Sequence, residues 1–426
     1  MHIHCSGIGG IGLSAYASLQ KQAGHDVSGS DRSWSPLLDD LQTQGIVVGT
    51  DQSGRAIPAA CDLLVYSEAI PADAPERTEA AKRGIAQMSY PQALGELSKH
   101  HRVIAVCGTH GKSSTTAMAA RLLIEAGMDP TVVVGTKLRE LDGRNWREGK
   151  SNLLLLEACE YRRSFRFYSP SVILMTNVDG DHFDYYASVD EYRASFAEFI
   201  AKLPGDGTLI THMGDEGCKA LAASSGKRTA DADTYDLIRL STPGLHMRQN
   251  AQLVLGLADV LGISQTDAKK SVSGYAGSWR RMEEKGLYAQ RNPVIDDYAH
   301  HPAEIRATLA ALKEKFGSRR LVCIFQPHTH DRTLKLYNDF TTCFAGAGLV
   351  IVSDVYEARK DIETTTVRME AFVKDIKTSS HVDTIEGGSL SAIEEMLATV
   401  IQDDDVIICL GAGDITELAG RLATSC

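Results

Sequence analysis

Aromatic residues are scarce, at 6 % of 426 positions with three Trp, and the chain holds only 12 Pro. An apolar content of 43 % with 23 % charge is ordinary for globular domains, so disordered, collagen-like and rod-like chains are excluded. No apolar run approaches the roughly 20 residues of a membrane helix. The longest runs, such as Leu153–Leu156 and Val406–Leu410, are strand-sized. The N-terminal MHIHCSGIGG has neither a basic nor an apolar segment, so no secretory signal is expected. Nine Cys are scattered without C-x-x-C pairs or zinc-like spacing, and Cys107, Cys323 and Cys409 fall in apolar runs. That pattern predicts buried thiols in a reduced, cytoplasmic protein. Positive charge is also in deficit: Lys+Arg number 44 against 55 Asp+Glu, a net charge of −11. Gripping nucleic acid needs a basic footprint, so that main task is argued against, although a local basic groove survives.

What is present is alternation. Short apolar runs at Val103–Cys107, Leu153–Leu156, Val172–Met175, Leu321–Phe325, Leu349–Val352 and Val406–Leu410 are separated by amphipathic stretches such as Thr116–Glu125, Val189–Ile200 and Glu304–Glu314. Continuous apolar runs suit strands buried on both faces of a parallel sheet, and the alternation predicts α/β domains built of βαβ units. The length prior is about three domains. A polar hinge at Ser98–Arg102 and a Gly-, Trp- and charge-bearing segment at Gly274–Gly286 set expected limits of 1–98, 99–278 and 279–426.

Three strands end in glycine turns. The first, Gly7-Ile8-Gly9-Gly10-Ile11-Gly12, fits G-x-G-x-x-G and is followed by a second strand leading to Ser30 and Asp31. Such a turn lets backbone approach a pyrophosphate at a helix N-terminus, with the acid near a ribose; a tight structural turn is the alternative. The second is Gly108-Thr109-His110-Gly111-Lys112-Ser113-Ser114-Thr115-Thr116, after a strand and before a helix. Here Lys112 is placed for the β/γ-phosphates and Ser113 for Mg²⁺, although Val106 stands where the first P-loop glycine belongs. The third, Gly411-Ala412-Gly413-Asp414, reads as a strand-to-helix turn.

Acids and histidines cluster after later strands. Glu157 closes Leu153–Leu156, where a metal–nucleotide site expects a carboxylate. In Asp179-Gly180-Asp181-His182-Phe183-Asp184, His182 is the candidate metal ligand, while Asp179, Asp181 and Asp184 read as turn and capping residues. Asp296-Asp297-Tyr298-Ala299-His300-His301 suggests ribose binding, acid–base help or substrate positioning, with a structural His pair as the alternative. Gln326-Pro327-His328-Thr329-His330-Asp331-Arg332 offers His328 and Arg332 to a carboxylate, and Arg280-Arg281 offers cations to phosphates.

Taken in order, GIGGIG, GTHGKSSTT, EACEY, TNVDGDHFDYY, the Asn250 region, RRMEEKG, VIDDYAHHPAEI, FQPHTHDRT and GAGDI resemble the Mur ligases over nearly the whole chain. DDYAHHP with QPHTHDRT is similar to the branch acting on UDP-N-acetylmuramate. The resemblance implies three α/β domains: a Rossmann-like N-terminal domain for the UDP-sugar, a central P-loop ATPase-type domain with a mostly parallel sheet, and a Rossmann-like C-terminal domain for the amino acid. It implies a lactyl carboxylate activated by ATP and captured by the amine of L-alanine, in peptidoglycan precursor synthesis, by a monomer or homodimer.

Residue by residue, it implies UDP-sugar binding by Gly7, Gly9, Gly10, Gly12, Ser30, Asp31 and Ser67. ATP would be held by Gly108, Thr109, His110, Gly111, Lys112, Ser113, Ser114, Asn250, Arg281 and Asp297. Mg²⁺ or Mn²⁺ would sit on Ser113, Glu157 and His182, and the amino acid among Tyr298, His301, His328 and Arg332. Lys112, His182, His301 and Arg281 would be catalytic. Against the family's usual pattern, Cys159 stands where Asp is common and His330 where an aromatic residue is frequent. A recycling ligase that attaches a peptide to the same sugar nucleotide shares the branch motifs. An NAD-dependent oxidoreductase built on Gly7–Gly12 is a reading from another class, and it leaves Lys112 and Glu157 unexplained.

Overall fold

In the computed structural model, which describes residues 1–182, 185–357 and 366–424, each long apolar run is a buried strand. The chain divides into two compact units. One comprises Met1–Gly180, Val189–Asp236 and Asn250–Val272; the other comprises Asp181–Ser188, Leu237–Gln249 and the chain from Ser273 onward.

The first unit contains two sheets. A five-stranded parallel sheet has the order Val47–Gly49, Asp26–Ser30, His2–Ser6, Leu63–Tyr66, Ala86–Ser89. Its core gathers Ile3, Cys5, Leu13, Tyr16, Val27, Leu38 and Val65. A seven-stranded sheet has the order Arg228–Asp231, Thr208–Thr211, Pro170–Met175, Arg102–Cys107, Leu153–Glu157, Thr131–Leu138, Arg144–Arg147. Only its last pair is antiparallel.

The second unit carries a six-stranded sheet in the order Glu283–Tyr288, Asn292–Asp297, Val406–Leu410, Leu321–Phe325, Leu349–Ser353, Thr384–Gly388. The first pair is antiparallel and the rest are parallel. Successive residues of its inner strands enter opposite cores. Leu321, Cys323, Phe325, Ile408 and Leu410 join one cluster, and Val322, Ile324, Ile407 and Cys409 the other. Both faces are covered, which is why these strands read as unbroken apolar runs rather than as alternation.

Parallel strands deliver their loops to one edge, and ligand-facing residues collect beyond strand C-termini. Gly7, Gly108, Glu157, Thr176, Tyr298, Gln326 and Gly411 all lie at or just past such ends. Among the described residues, no helix is long and apolar enough to cross a membrane.

Candidate active site

The glycine turn at residues 7–12 is built by the backbone of its own sheet. The Gly7 and Ile8 N–H groups both donate to the Ser30 carbonyl, at 2.8 and 3.0 Å. Gly7 sits at φ +80°, and a Cβ there would stand 3.0 Å from Ser67 Cβ. Asp31 is not left pointing outward: its carboxylate accepts from the Gly9 N–H at 2.8 Å. The helix Ile11–Gln22 begins at Gly10 with no side-chain cap and no acid in its first turn. Its first N–H groups and dipole therefore face whatever anion the turn admits. Gly12 lies against the Tyr90 ring, so the third glycine of the motif permits close helix packing.

The loop 108–113 is the more tightly defined of the glycine turns. Gly108 adopts φ +135°, and a Cβ there would meet Thr176 Oγ1 at 2.0 Å and backbone of Thr176 and Asn177 at 3.0 Å. Gly111 adopts φ +83°, with Asn250 Oδ1 2.6 Å from where its Cβ would be. Neither position admits another residue without displacing a neighbour. Asn177 clamps the loop from the adjacent strand end. Its side chain accepts from the His110 N–H at 2.9 Å and donates to the His110 carbonyl at 3.2 Å, and its carbonyl accepts from the Thr109 N–H. Thr109 Oγ1 meets the buried Tyr192 hydroxyl at 2.9 Å.

Lys112 donates to the Gly108 and Thr109 carbonyls, at 2.6 and 2.9 Å, and pairs with the fully buried Glu160 at 3.0 Å. Burial alone would lower the lysine pKa. Glu160, with Cys159 and Glu157 nearby, more than reverses this and keeps the ammonium charged. Ser113 Oγ donates to Glu157 Oε1 at 3.1 Å, while Glu157 Oε2 accepts from the Gly135 N–H at 2.9 Å.

In the second unit, both Asp297 oxygens are committed. Oδ1 accepts from the Ala299 N–H at 2.7 Å and Oδ2 from the Met282 N–H at 2.9 Å. Burial lifts this carboxyl to about 6 despite Arg281 and those N–H donors. Arg280 is buried and donates to the Gly411 carbonyl, and both guanidiniums lie over the Tyr298 ring, Arg280 at 5.0 Å and Arg281 at 5.1 Å.

His301 caps the helix Pro302–Phe316, its Nδ1 accepting from the Ala303 N–H at 3.3 Å in a capping box with Glu304. The cap assigns the ring proton to Nε2. His300 is held to about 3 by burial and then by Arg332, so it stays neutral. Its ring lies 5.6 Å from His328, which in turn stacks on Tyr356. The third glycine turn is filled by protein: a Cβ on Gly413 would stand 2.4 Å from Gln326 Oε1, and Asp414 accepts from Gln326 Nε2.

Two ionic pairings are not expected from the motifs. Glu160 holds Lys112, and Asp181 pairs with Arg332 at 3.2 Å while accepting from the His182 N–H at 2.6 Å. Asp181 is therefore more than a turn residue. Asp184, expected in the same turn, lies outside the described residues.

These features define an α/β protein of three predominantly parallel sheets, with a glycine turn at the end of one sheet and a Gly-Lys-Ser loop at the end of the next. Three family descriptions match in sequence order: the Mur ligase family catalytic domain over residues 2–102, the Mur ligase middle domain over 106–252, and the Mur ligase glutamate ligase domain over 280–413. The chain belongs to the Mur ligase family.

It is 34% identical to a UDP-N-acetylmuramate–L-alanine ligase of Clostridium botulinum, over 97% of this chain and 95% of that protein. The Clostridium acetobutylicum protein of the same name is also 34% identical, over 98% and 96%. Among solved structures, the UDP-N-acetylmuramate-alanine ligase of Thermotoga maritima superposes with a TM-score of 0.83 at 27% identity, covering 99% of this chain and 98% of that one. A murein peptide ligase from Psychrobacter arcticus, at 23% identity, shares the fold with a TM-score of 0.73.

Proposed function

We propose that this chain is an ATP-dependent ligase that joins L-alanine to the lactyl carboxylate of UDP-N-acetylmuramate. The observation that carries the reading is the loop at 108–113, where a charged, half-buried Lys112 and the facing Ser113–Glu157 pair are suited to a nucleotide. The substrates follow from relatives named for that reaction, matched over nearly their whole length.

The lactyl carboxylate oxygen attacks the γ-phosphorus of ATP, and the bond from that phosphorus to the ADP oxygen breaks. The amine nitrogen of L-alanine then attacks the acyl carbon. The tetrahedral adduct expels phosphate, the nitrogen loses its proton, and an amide remains. Phosphoryl transfer of this kind needs positioning and charge neutralisation more than covalent help. Lys112 and the N-terminus of the helix Lys112–Glu125, which has no side-chain cap, would supply both to the phosphates. Arg281, resting on Tyr298, is a second cation for phosphate. Arg332 receives the amino-acid carboxylate, with Tyr298, His301 and His328 around it. Because its Nδ1 is spent on the cap, His301 presents Nε2.

Mg²⁺ suits this donor set. No three His, Cys, Asp or Glu side chains converge as a metal cluster among the described residues. Mg²⁺, however, is held by one or two protein oxygens plus phosphates, and the Ser113 hydroxyl and Glu157 carboxylate already face each other. Bound there, the ion would neutralise phosphate charge; His182 is assigned to a second ion. Domain limits of 1–98, 99–278 and 279–426 divide UDP-sugar, ATP and amino-acid binding, and a cytoplasmic location suits an enzyme fed by ATP and a UDP-sugar.

A heavy-oxygen label in the lactyl carboxylate tests the chemistry. It should appear in the released phosphate, with a product whose mass is the sugar nucleotide plus L-alanine less water. Label absent from phosphate would overturn the acyl-phosphate route.

A further inference from the structure

A buried carboxylate that the reaction does not use lies beneath the first glycine turn. Glu76 is 1% exposed, in the first turn of the helix Pro75–Lys82. Its side chain reaches the central strand of the five-stranded sheet, His2–Ser6, and its neighbour Asp26–Ser30. Oε1 accepts from Ser30 Oγ at 2.6 Å and lies 3.1 Å from His4 Nε2, and Oε2 accepts from Ser6 Oγ. His4 Nδ1 is in turn tied to Ser28 Oγ at 2.9 Å. Burial would raise the Glu76 pKa, yet the bonds from His4, Ser30 and Ser6 bring it below the usual carboxylate range. A carboxylate buried this deeply is retained only where its donors hold it.

The two hydroxyls occupy informative positions. Ser6 immediately precedes Gly7, and Ser30 immediately precedes Asp31. The Ser30 carbonyl accepts from both Gly7 and Ile8, and Asp31 holds Gly9. The Ser6 carbonyl accepts from the Ser67 N–H at 2.9 Å. Both walls of the turn are therefore anchored one residue behind, on the same carboxylate. The next residue on the helix, Arg77, secures the third wall. Its guanidinium stacks on Tyr66 at 3.8 Å and donates to the Ile70 carbonyl, fixing the loop that carries Ser67.

We infer that Glu76 is a positioning residue for the UDP-sugar, bridging Ser6 and Ser30 so that the backbone of Gly7–Gly10 is set for the pyrophosphate. This rests on the ligase reading above. It acts on the UDP-sugar site only: the loop 108–113 makes no contact with this network in the hydrogen bonds described. A bridge of this kind tolerates an amide. Gln at position 76 can accept from Ser30 and donate to Ser6, whose hydroxyl rotates to accept.

The test is calorimetric titration of the full-length protein with UDP and, separately, with ATP and Mg²⁺. Glu76→Ala should weaken UDP about tenfold, the size of one lost charge-assisted hydrogen bond. ATP binding should not change, and Glu76→Gln should restore UDP binding to within about threefold. Should Glu76→Ala fail to fold, Ser6→Ala carries the same expectation. A merely structural role would lower the melting temperature while leaving UDP affinity of the folded protein intact, and that result overturns the inference alone. Absence of UDP binding by the unsubstituted protein overturns the ligase reading, and the inference with it.

Discussion

Replacing Lys112 by Ala removes the cation from a pair whose two side chains are 14% and 0% exposed. Breaking a buried pair by deleting one partner costs about 3–5 kcal/mol, because the remaining charge stays out of water. At about 2–4 °C per kcal/mol for a unit of this size, the thermal midpoint should fall by roughly 10 °C. Adding Glu160→Gln removes the stranded charge as well. The double variant should regain about half of the loss, a coupling of roughly 2 kcal/mol between residues in contact. Activity should not follow stability. Neither variant should release phosphate from ATP, and both should still bind UDP. Differential scanning fluorimetry and a phosphate-release assay, run on the two single variants and the double, measure everything needed. Strict additivity of the melting shifts would refute the pairing. Turnover by Lys112→Ala would refute the assignment of the loop to ATP.

Gly111→Ala forces a Cβ to within 2.6 Å of Asn250 Oδ1 at φ +83°. It should cost about 1–2 kcal/mol in backbone strain alone and abolish ATP binding by calorimetry. Asp297, with its pKa raised to about 6, binds its proton more tightly folded than unfolded. Its contribution is therefore full below about pH 4 and lost as pH rises through about 6, a swing of about 3 kcal/mol. Asp297→Asn should flatten the melting temperature against pH across that window, and an unchanged slope would contradict the burial argument. Arg332→Lys loses the planar fork and should raise the KM for the amino acid about tenfold or more, leaving UDP affinity unchanged.

Local pattern carried the fold far because strand, glycine turn and helix follow one another within a few residues at positions 7 and 108. The unbroken apolar runs signalled sheets covered on both faces, which the two separate cores around Val322 and Cys323 bear out. What sequence could not reveal lies in pairings across long separations. Glu160 is 48 residues from Lys112, and Glu76 is 70 from Ser6. The helix PERTEAAK is so polar that nothing marks Glu76 as its buried member. Asp179 and Asp181 look alike as turn acids, and only the fold sets Asp181 against Arg332. Arg280 and Arg281 are likewise equivalent in sequence. The packing separates them by burying Arg280 against the Gly411 carbonyl, although both guanidiniums lie over Tyr298. Family resemblance, not periodicity, supplied the muramate and the L-alanine.

The most direct test is the rate of ADP formation with UDP-N-acetylmuramate, ATP and Mg²⁺, comparing L-alanine, glycine, L-serine and the stem tripeptide as the amine. Formation should require all three substrates, with the highest kcat/KM for L-alanine. ADP formation with the tripeptide alone, or NADH oxidation in the absence of ATP, would contradict the proposed reaction.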